Sequence, residues 1–268
     1  MMRLILFCLS LHAAPLLAQT TTHLPYPVIA VAGADAQAEW HRQRAQPGTA
    51  VIVGDAAALE DLDYLFSPDW AEMESRSPAD IIAAADALAF PDALRDLRRR
   101  EWAQMQEWLK EEHPVLAMPD DHDPWAISDA DYGDVPLFYI PPQRIISLDD
   151  WQTGKPFETV YMVILPTENP WEAPAYLRFG GWNANPPPEI HVAALRQWYK
   201  SYGAEPVVLA DDQMELWAPR RPGIMSEARD LAIAQYHYCY DVVDQGVGTI
   251  ATLAADRIRA PYWYFWWD

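Results

Sequence analysis

The chain closes on Tyr262-Trp263-Tyr264-Phe265-Trp266-Trp267-Asp268. In a strand, successive side chains alternate between faces, which puts Tyr262, Tyr264 and Trp266 on one side and Trp263, Phe265 and Trp267 on the other. Both faces are then aromatic, and a half-wet position would leave several large rings in water. The segment is expected to be a strand covered on both faces. That expectation sets the fold class: an α/β protein with a mixed sheet flanked by helices, its aromatic C-terminal strand central and buried.

The rest of the chain supplies the other layers. Residues 27–32 read as a buried strand, 34–45 as a helix, 49–53 as a second strand and 56–65 as a second helix. This spacing predicts a parallel strand pair joined by a right-handed crossover. Ser77 reads as an N-cap, with Pro78 at the first helical position and Asp80 at the third. That helix should reach about residue 89, where Phe90-Pro91 breaks it, and a longer helix should run to about 111. Beyond residue 151 come a strand over 159–165 and a turn at Gly180-Gly181. A helix over 188–202 follows, stopped by Gly203. Two strands around Asp211-Asp212 form a hairpin. A helix capped by Ser226 should run to about residue 240, and another should span about 247–259.

Arg3 followed by the apolar run 4–18, interrupted by Ser10, His12 and Pro15, reads as a secretory signal peptide cleaved after Ala18. The run is shorter than the roughly 20 residues a bilayer span requires. No later segment is long and apolar enough to span, so no transmembrane segment is expected after signal removal. The expected organisation is residues 1–18 as signal, 19–115 as an N-terminal α/β segment, 116–150 as an acidic, proline-rich connector, and 151–268 as a C-terminal domain. Trp125, Tyr132, Leu137, Phe138, Tyr139 and Ile140 are expected to anchor the connector. Cys8 leaves with the signal, so the mature chain carries one thiol, Cys239, and no internal disulfide. The expected location is periplasmic or secreted.

Thirty-nine acidic side chains against 19 basic ones give a formal charge of −20. Nucleic acid is thereby disfavoured, since phosphate binding needs clustered Lys and Arg, and so is an anionic membrane surface. The acidity suits a solvated surface or a protein partner with a basic surface.

Two stretches hold the candidate ligand-binding residues. Gly180-Gly181-Trp182-Asn183 lies ahead of a helix N-terminus, where paired glycines allow positive φ or close approach of a ligand. With Arg178 beside it, that helix end is suited to an anion, although Glu189 opposes one. In Tyr236-His237-Tyr238-Cys239-Tyr240-Asp241, a helical reading stacks His237 one turn from Asp241. Cys239 then points away from His237 and reads as a small buried hydrophobe rather than a nucleophile. Arg98-Arg99-Arg100 reads as a solvated collar. The cluster Asp120, Asp121, Asp123, Asp129, Asp131 and Asp134 fails the spacing of a calcium loop, and His122 alone cannot make a zinc site, so no metal and no cofactor is expected. Asp211 with Asp212, or Glu168 with Glu172, are the carboxylate pairs available to a glycosidase-like reaction, with Trp182 as a sugar platform. No nucleophile elbow, phosphate-binding loop or dinucleotide fingerprint occurs, and no catalytic residue is assigned.

Five ordered blocks carry a resemblance: Gly180-Gly-Trp-Asn183; Trp198-Tyr-Lys-Ser-Tyr-Gly-Ala-Glu-Pro-Val207; Glu215-Leu-Trp217 followed by Arg221-Pro222; Tyr238-Cys-Tyr-Asp241; and Trp266-Trp-Asp268. From about residue 159 to the end, the chain resembles a bacterial domain of unknown function, family 4253. Where that pattern has proline between the cysteine and the aspartate, this chain has Tyr240. The likeness extends more loosely to the N-terminal strand-helix-strand. It implies boundaries and no activity; by analogy, some small acidic bacterial families resemble immunity proteins. The expected function is therefore a non-catalytic binding or neutralising, immunity-like protein of the bacterial envelope. The alternative is a hydrolase acting on an envelope polymer through paired carboxylates.

Overall fold

The computed structural model describes residues 21–71, 75–118, 123, 125–150 and 152–268. The expected signal segment lies outside these, as do Asp120, Asp121 and His122. In chain order the strands are β1 (Val28–Ala32), β2 (Thr49–Gly54), β3 (Asp149–Asp150), β4 (Lys155–Pro156), β5 (Thr159–Leu165), β6 (Glu205–Ala210), β7 (Gln213–Trp217) and β8 (Tyr262–Trp266). The helices are α1 (Ala36–Gln43), α2 (Ala56–Tyr64), α3 (Pro68–Ala71), α4 (Pro78–Asp86) and α5 (Asp92–Glu112), then α6 (Asp129–Tyr132), α7 (Ala173–Leu177), α8 (Pro188–Tyr202), α9 (Met225–Tyr238) and α10 (Ile250–Arg259).

Six strands form one mixed sheet in the order β1-β5-β2-β6-β7-β8, flanked by helices. β2 and β6 are parallel, and the other neighbours are antiparallel. Strands from the N-terminal and C-terminal halves interleave, so the two halves share one sheet. Alternation along the strands divides the core. Val51, Val53, Val163, Leu165, Trp263 and Phe265 face α8 and its neighbouring helices, in a layer that includes Trp198 and Leu231. Ile52, Val160, Met162 and Tyr262 face Trp40 of α1 with Ile145 and Leu148.

Two expectations about the strands need correction. β1 and β2 are not neighbours: β5 lies between them and pairs Val163 with both Val28 and Val51. β5 is apolar on both faces and fits an interior place, and spacing along the chain cannot reveal a strand inserted from more than a hundred residues away. The aromatic strand is in the sheet and packed, but it is the last strand in the order rather than central. Trp263 and Phe265 are fully buried and Trp267 nearly so, whereas Tyr264 and Trp266 are half-buried. The expectation confused covered faces with two strand neighbours. Part of the edge is closed from outside the sheet, where the Cys239 thiol donates to the Trp266 carbonyl at 2.9 Å.

Helix ends mostly follow the expected chemistry. Ser77 and Asp80 form a reciprocal cap on α4 behind Pro78, and Gly203 closes α8 at φ 66°. α9 differs: its N-cap is Ile224, and it stops at Tyr238 because Cys239 is extended (φ −146°, ψ 97°). A π-helical turn over Val242–Val247 precedes α10, which Thr249 caps.

The collar reading fails at Arg98. Three consecutive helical residues point about 100° apart, so one of them can face inward while its neighbours stay wet. Arg98 is 3% exposed and donates to the carbonyls of His237 (2.7 Å), Ala184 (2.8 Å) and Tyr238 (3.1 Å). Arg99 and Arg100 remain in solvent. In the connector, Trp125 and Tyr132 pack on the core as expected, but Leu137, Phe138 and Ile140 are 95%, 93% and 83% exposed. The return of this segment to the sheet depends instead on Glu215 of β7. Its carboxyl accepts from Ile146 N (3.0 Å), Ser147 N (3.0 Å) and Ser147 Oγ (2.6 Å). Among the described residues no helix is long and apolar enough to cross a membrane.

Candidate functional site

A cleft of about 860 Å³ opens at the carboxyl ends of the parallel strands β2 and β6, where ligands commonly bind in α/β sheets. One wall is α2, with Asp61, Leu62 and Leu65. The opposite wall is the end of α7 and the loop after it, from Leu177 to Trp182, and the β6–β7 hairpin closes a third side.

The local sequence explains this shape. Gly54 ends β2 at φ 101°, and a Cβ there would lie 2.7 Å from that of Ala58, so only glycine lets the strand turn directly into α2. Asp55 caps α2 by accepting from Ala57 N (3.0 Å) and Ala58 N (3.1 Å). α7 ends on Arg178 in the left-handed region (φ 54°), and its guanidinium donates to the Leu65 carbonyl at 2.7 Å and lies over the Phe66 ring. Arg178 thus ties the two walls together. Asn183 and Asp211 also hold positive φ (49° and 44°), so among the described residues the three left-handed non-glycine ones are all in or beside the cleft. Such conformations cluster at functional sites because the surrounding structure must enforce them.

Arg178, Gly180, Gly181 and Trp182 share one wall, while Asn183 projects into solvent beside it. Both glycines hold the positive φ expected of them, 107° and 91°. A Cβ on Gly180 would stand 2.2 Å from the Pro186 carbonyl and 2.6 Å from the His191 ring, so this residue allows close approach of the chain to itself. Gly181 has open space around its Cβ position, but its N–H donates inward to Pro186 O at 3.0 Å. The expected anion seat at the start of α8 is occupied otherwise, because Glu189 pairs there with Arg76 at 3.0 Å.

His237 and Asp241 are not a pair. Because the helix stops at Tyr238, the one-turn spacing that would stack them does not exist. His237 lies flat against Trp125 (ring centroids 4.0 Å apart), with its Nε2 3.2 Å from the Trp125 carbonyl, and burial pushes its pKa down to about 4. Asp241 accepts from Asp268 N at 3.1 Å and from Gln245 at 2.8 Å. Cys239 is buried, and its thiol is pushed up to about 12, which agrees with the hydrophobe reading.

A buried relay behind the Gly180–Asn185 loop escaped the sequence reading. His191 Nε2 is 2.7 Å from Asn185 Oδ1, and Nδ1 meets the Tyr238 hydroxyl. Burial holds the imidazole pKa down to about 3. A neutral ring that donates from Nε2 and accepts at Nδ1 satisfies both contacts. The available signal was spacing, since His191 shares the helical face of Leu195, Trp198 and Tyr202.

Of the carboxylates considered for acid-base chemistry, Glu168 accepts from Gly48 N (2.9 Å), and Glu172 accepts from Thr167 Oγ1 (2.5 Å) and Asn169 (3.0 Å), so both brace a loop away from the cleft. Asp211 and Asp212 line it. Asp211 keeps contact with water, yet desolvation by the cleft wall, followed by the charges of Asp61, Asp212 and Asp55, pushes it up to about 6. Among the described residues no group of three or more His, Cys, Asp or Glu could hold a metal ion.

Fold and cleft together define an α/β protein with a partly aromatic pocket at the ends of its parallel strands. Within it, residues 161–268 match the family model described as a domain of unknown function, DUF4253, and this is the stretch whose sequence blocks carry the resemblance. No curated protein and no solved structure matches the chain. The cleft straddles the matched segment, taking Leu177 to Asp212 from it and Val53 to Arg76 from the chain before it.

Proposed function

We propose that this is a non-catalytic binding protein of the bacterial envelope, exported by its N-terminal segment, which receives a ligand in the cleft between α2 and the Leu177–Trp182 wall. One observation carries the reading: a concavity of about 860 Å³ whose lining is mainly apolar, with Leu62, Leu65, Phe179, Trp182 and Leu209, and charged at Asp61, Arg76, Arg178, Asp211 and Asp212. That size and lining are typical of sites that enclose a small organic molecule or a short piece of a polymer. Several of its charged groups brace the wall instead of standing ready to react. Arg178 holds the Leu65 carbonyl, Arg76 holds Glu189, and Asp212 accepts the Trp266 indole N–H at 2.8 Å. A neutralising role would place a group from a partner with a basic surface in the same cleft.

Methyl-resolved NMR with a fragment library tests this. Ligands should shift the methyls of Leu62, Leu65, Leu177 and Leu209, and Leu62→Trp, which fills the cleft, should abolish those shifts. A library that leaves these methyls untouched, or shifts that survive in Leu62→Trp, would overturn the proposal. The second reading, a hydrolase acting on an envelope polymer, is favoured by Asp211, a carboxyl able to hold a proton near pH 6 beside Asp61 and Asp212. Turnover of peptidoglycan fragments that vanishes in a folded Asp211→Asn variant would replace the first reading with the second.

A further inference from the structure

We infer that the ligand of this cleft is an organic cation, an ammonium group carried on an apolar body. This rests on the reading of the cleft as a binding site and adds the chemistry it selects. The interior is aliphatic and aromatic, with Trp70, Phe179 and Trp182 in its lining. Aromatic faces attract cations as well as apolar groups. At the lip stand Asp61 and Asp211, whose carboxylates have no hydrogen-bond or ion-pair partner among the described residues. Asp212 and Asp55 add negative charge close by, and the upward push on Asp211 reflects that crowding in part.

The cations of the lining do not neutralise this lip. Arg178 is pinned to the Leu65 carbonyl, about 6 Å along α2 from Asp61, and forms no ion pair with Asp61 or Asp211 among the described residues. Arg76 is held by Glu189. A ligand carboxylate or phosphate at the lip would meet like charge, and a neutral sugar would donate hydroxyls to the two carboxylates without offsetting their charge. An ammonium group there, with its hydrocarbon against Phe179 and Trp182, satisfies both surfaces. The same group can come from a free amine or from the lysine of a bound peptide.

The test is calorimetric titration of the full mature protein with three probes of similar shape: benzyltrimethylammonium, the uncharged isostere neopentylbenzene, and phenylmethanesulfonate. The cation should bind about tenfold or more tighter than the isostere, with the anion weakest. In the double variant Asp61→Asn, Asp211→Asn that preference should fall to about twofold while the isostere binds as before. If cation and isostere bind equally, and Leu62→Trp abolishes both, the cleft reading stands and the charge inference falls. If none of the three binds, both fall. Acetyl-Phe-Lys-amide set against acetyl-Phe-norleucine-amide identifies the source. A lysine peptide that outbinds its norleucine counterpart and the free amine supports a peptide-borne cation, and tighter binding of the free amine supports a small molecule.

Discussion

Replacing Arg98 by methionine keeps much of the side chain's length and removes its fork of donors. Two carbonyls, His237 (2.7 Å) and Ala184 (2.8 Å), then lose this donor, and Tyr238 (3.1 Å) loses one of two, keeping the Trp267 indole at 3.2 Å. A buried acceptor left without a donor costs about 1–3 kcal/mol. The Ala184 bond lies near solvent, where water can replace the lost donor, while the bonds to His237 and Tyr238 are buried. With His237 O orphaned and Tyr238 O reduced to one bond, the expected loss is about 2–4 kcal/mol, a large share of the roughly 5–15 kcal/mol that holds a domain folded. Lysine keeps the charge but offers one nitrogen where the guanidinium reaches several acceptors at once, so Arg98→Lys should recover only about 1–2 kcal/mol of that loss.

Urea unfolding followed by tryptophan fluorescence measures this directly, with the midpoint falling and the slope unchanged. Because Ala184 belongs to the loop behind the cleft wall, hydrogen exchange should also quicken at residues 184–185 and 237–239. A methionine variant within about 1 kcal/mol of the parent, or one with the lysine variant less stable than methionine, would refute the claim that these carbonyls depend on the guanidinium.

The glycine pair gives a contrast: Gly180→Ala drives a Cβ to 2.2 Å from Pro186 O and should cost about 3 kcal/mol or more. Gly181→Ala meets only its backbone penalty of about 1–2 kcal/mol, and equal melting temperatures for the two variants would contradict the assignment. In the terminal segment, Trp267→Ala should cost about 3–5 kcal/mol because the ring is 1% exposed, and half-buried Trp266→Ala clearly less, by thermal unfolding. Burial first, against the hydrogen bonds of Ser147 and Ile146, raises Glu215 from 4.5 to about 7, so the folded state holds this proton more tightly than the unfolded one. That contribution, about 3 kcal/mol, is complete below pH 4.5 and lost as pH rises through 7. His191 and His237 act in the opposite sense, losing stability as pH falls below 6.5 toward about 3 and 4. The readout is thus the difference between parent and Glu215→Gln across pH 4.5–7, and a flat difference would contradict the shift.

Local chemistry was readable from the residues alone. The Ser77–Asp80 cap, the stop at Gly203 and the turn at Asp211-Asp212 each depend on a few adjacent side chains, and each is where the sequence put it. What escaped depends on partners far along the chain. β5 enters between β1 and β2, Arg98 reaches carbonyls about 140 residues away, and Glu215 holds amides near residue 147. The site was half legible for the same reason. Glycines and an aromatic residue before a helix marked one wall, but the facing wall comes from α2, and nothing near Gly180 points to Leu62 or Asp61. His237 with Asp241 failed on a single backbone angle, since Cys239 leaves the helix where the pairing needs it to continue.

Tyr238 shows how the ends of the fold converge on the cleft. Its carbonyl accepts from Arg98 of α5 (3.1 Å) and from the Trp267 indole (3.2 Å), while its hydroxyl meets His191 of α8. His191 in turn holds Asn185, whose carbonyl, like that of Pro186, accepts the Gly181 N–H. A continuous path of hydrogen bonds thus runs from the terminal aromatic segment to the loop that forms one wall of the cleft. The aromatic terminus adds more than buried area: Trp267 fixes the residue that fixes the relay. Trp267→Phe keeps most of the packing and removes the indole donor, so it should loosen hydrogen exchange at Gly181 more than it lowers the melting temperature. If the terminus served the core alone, the two effects would change in proportion.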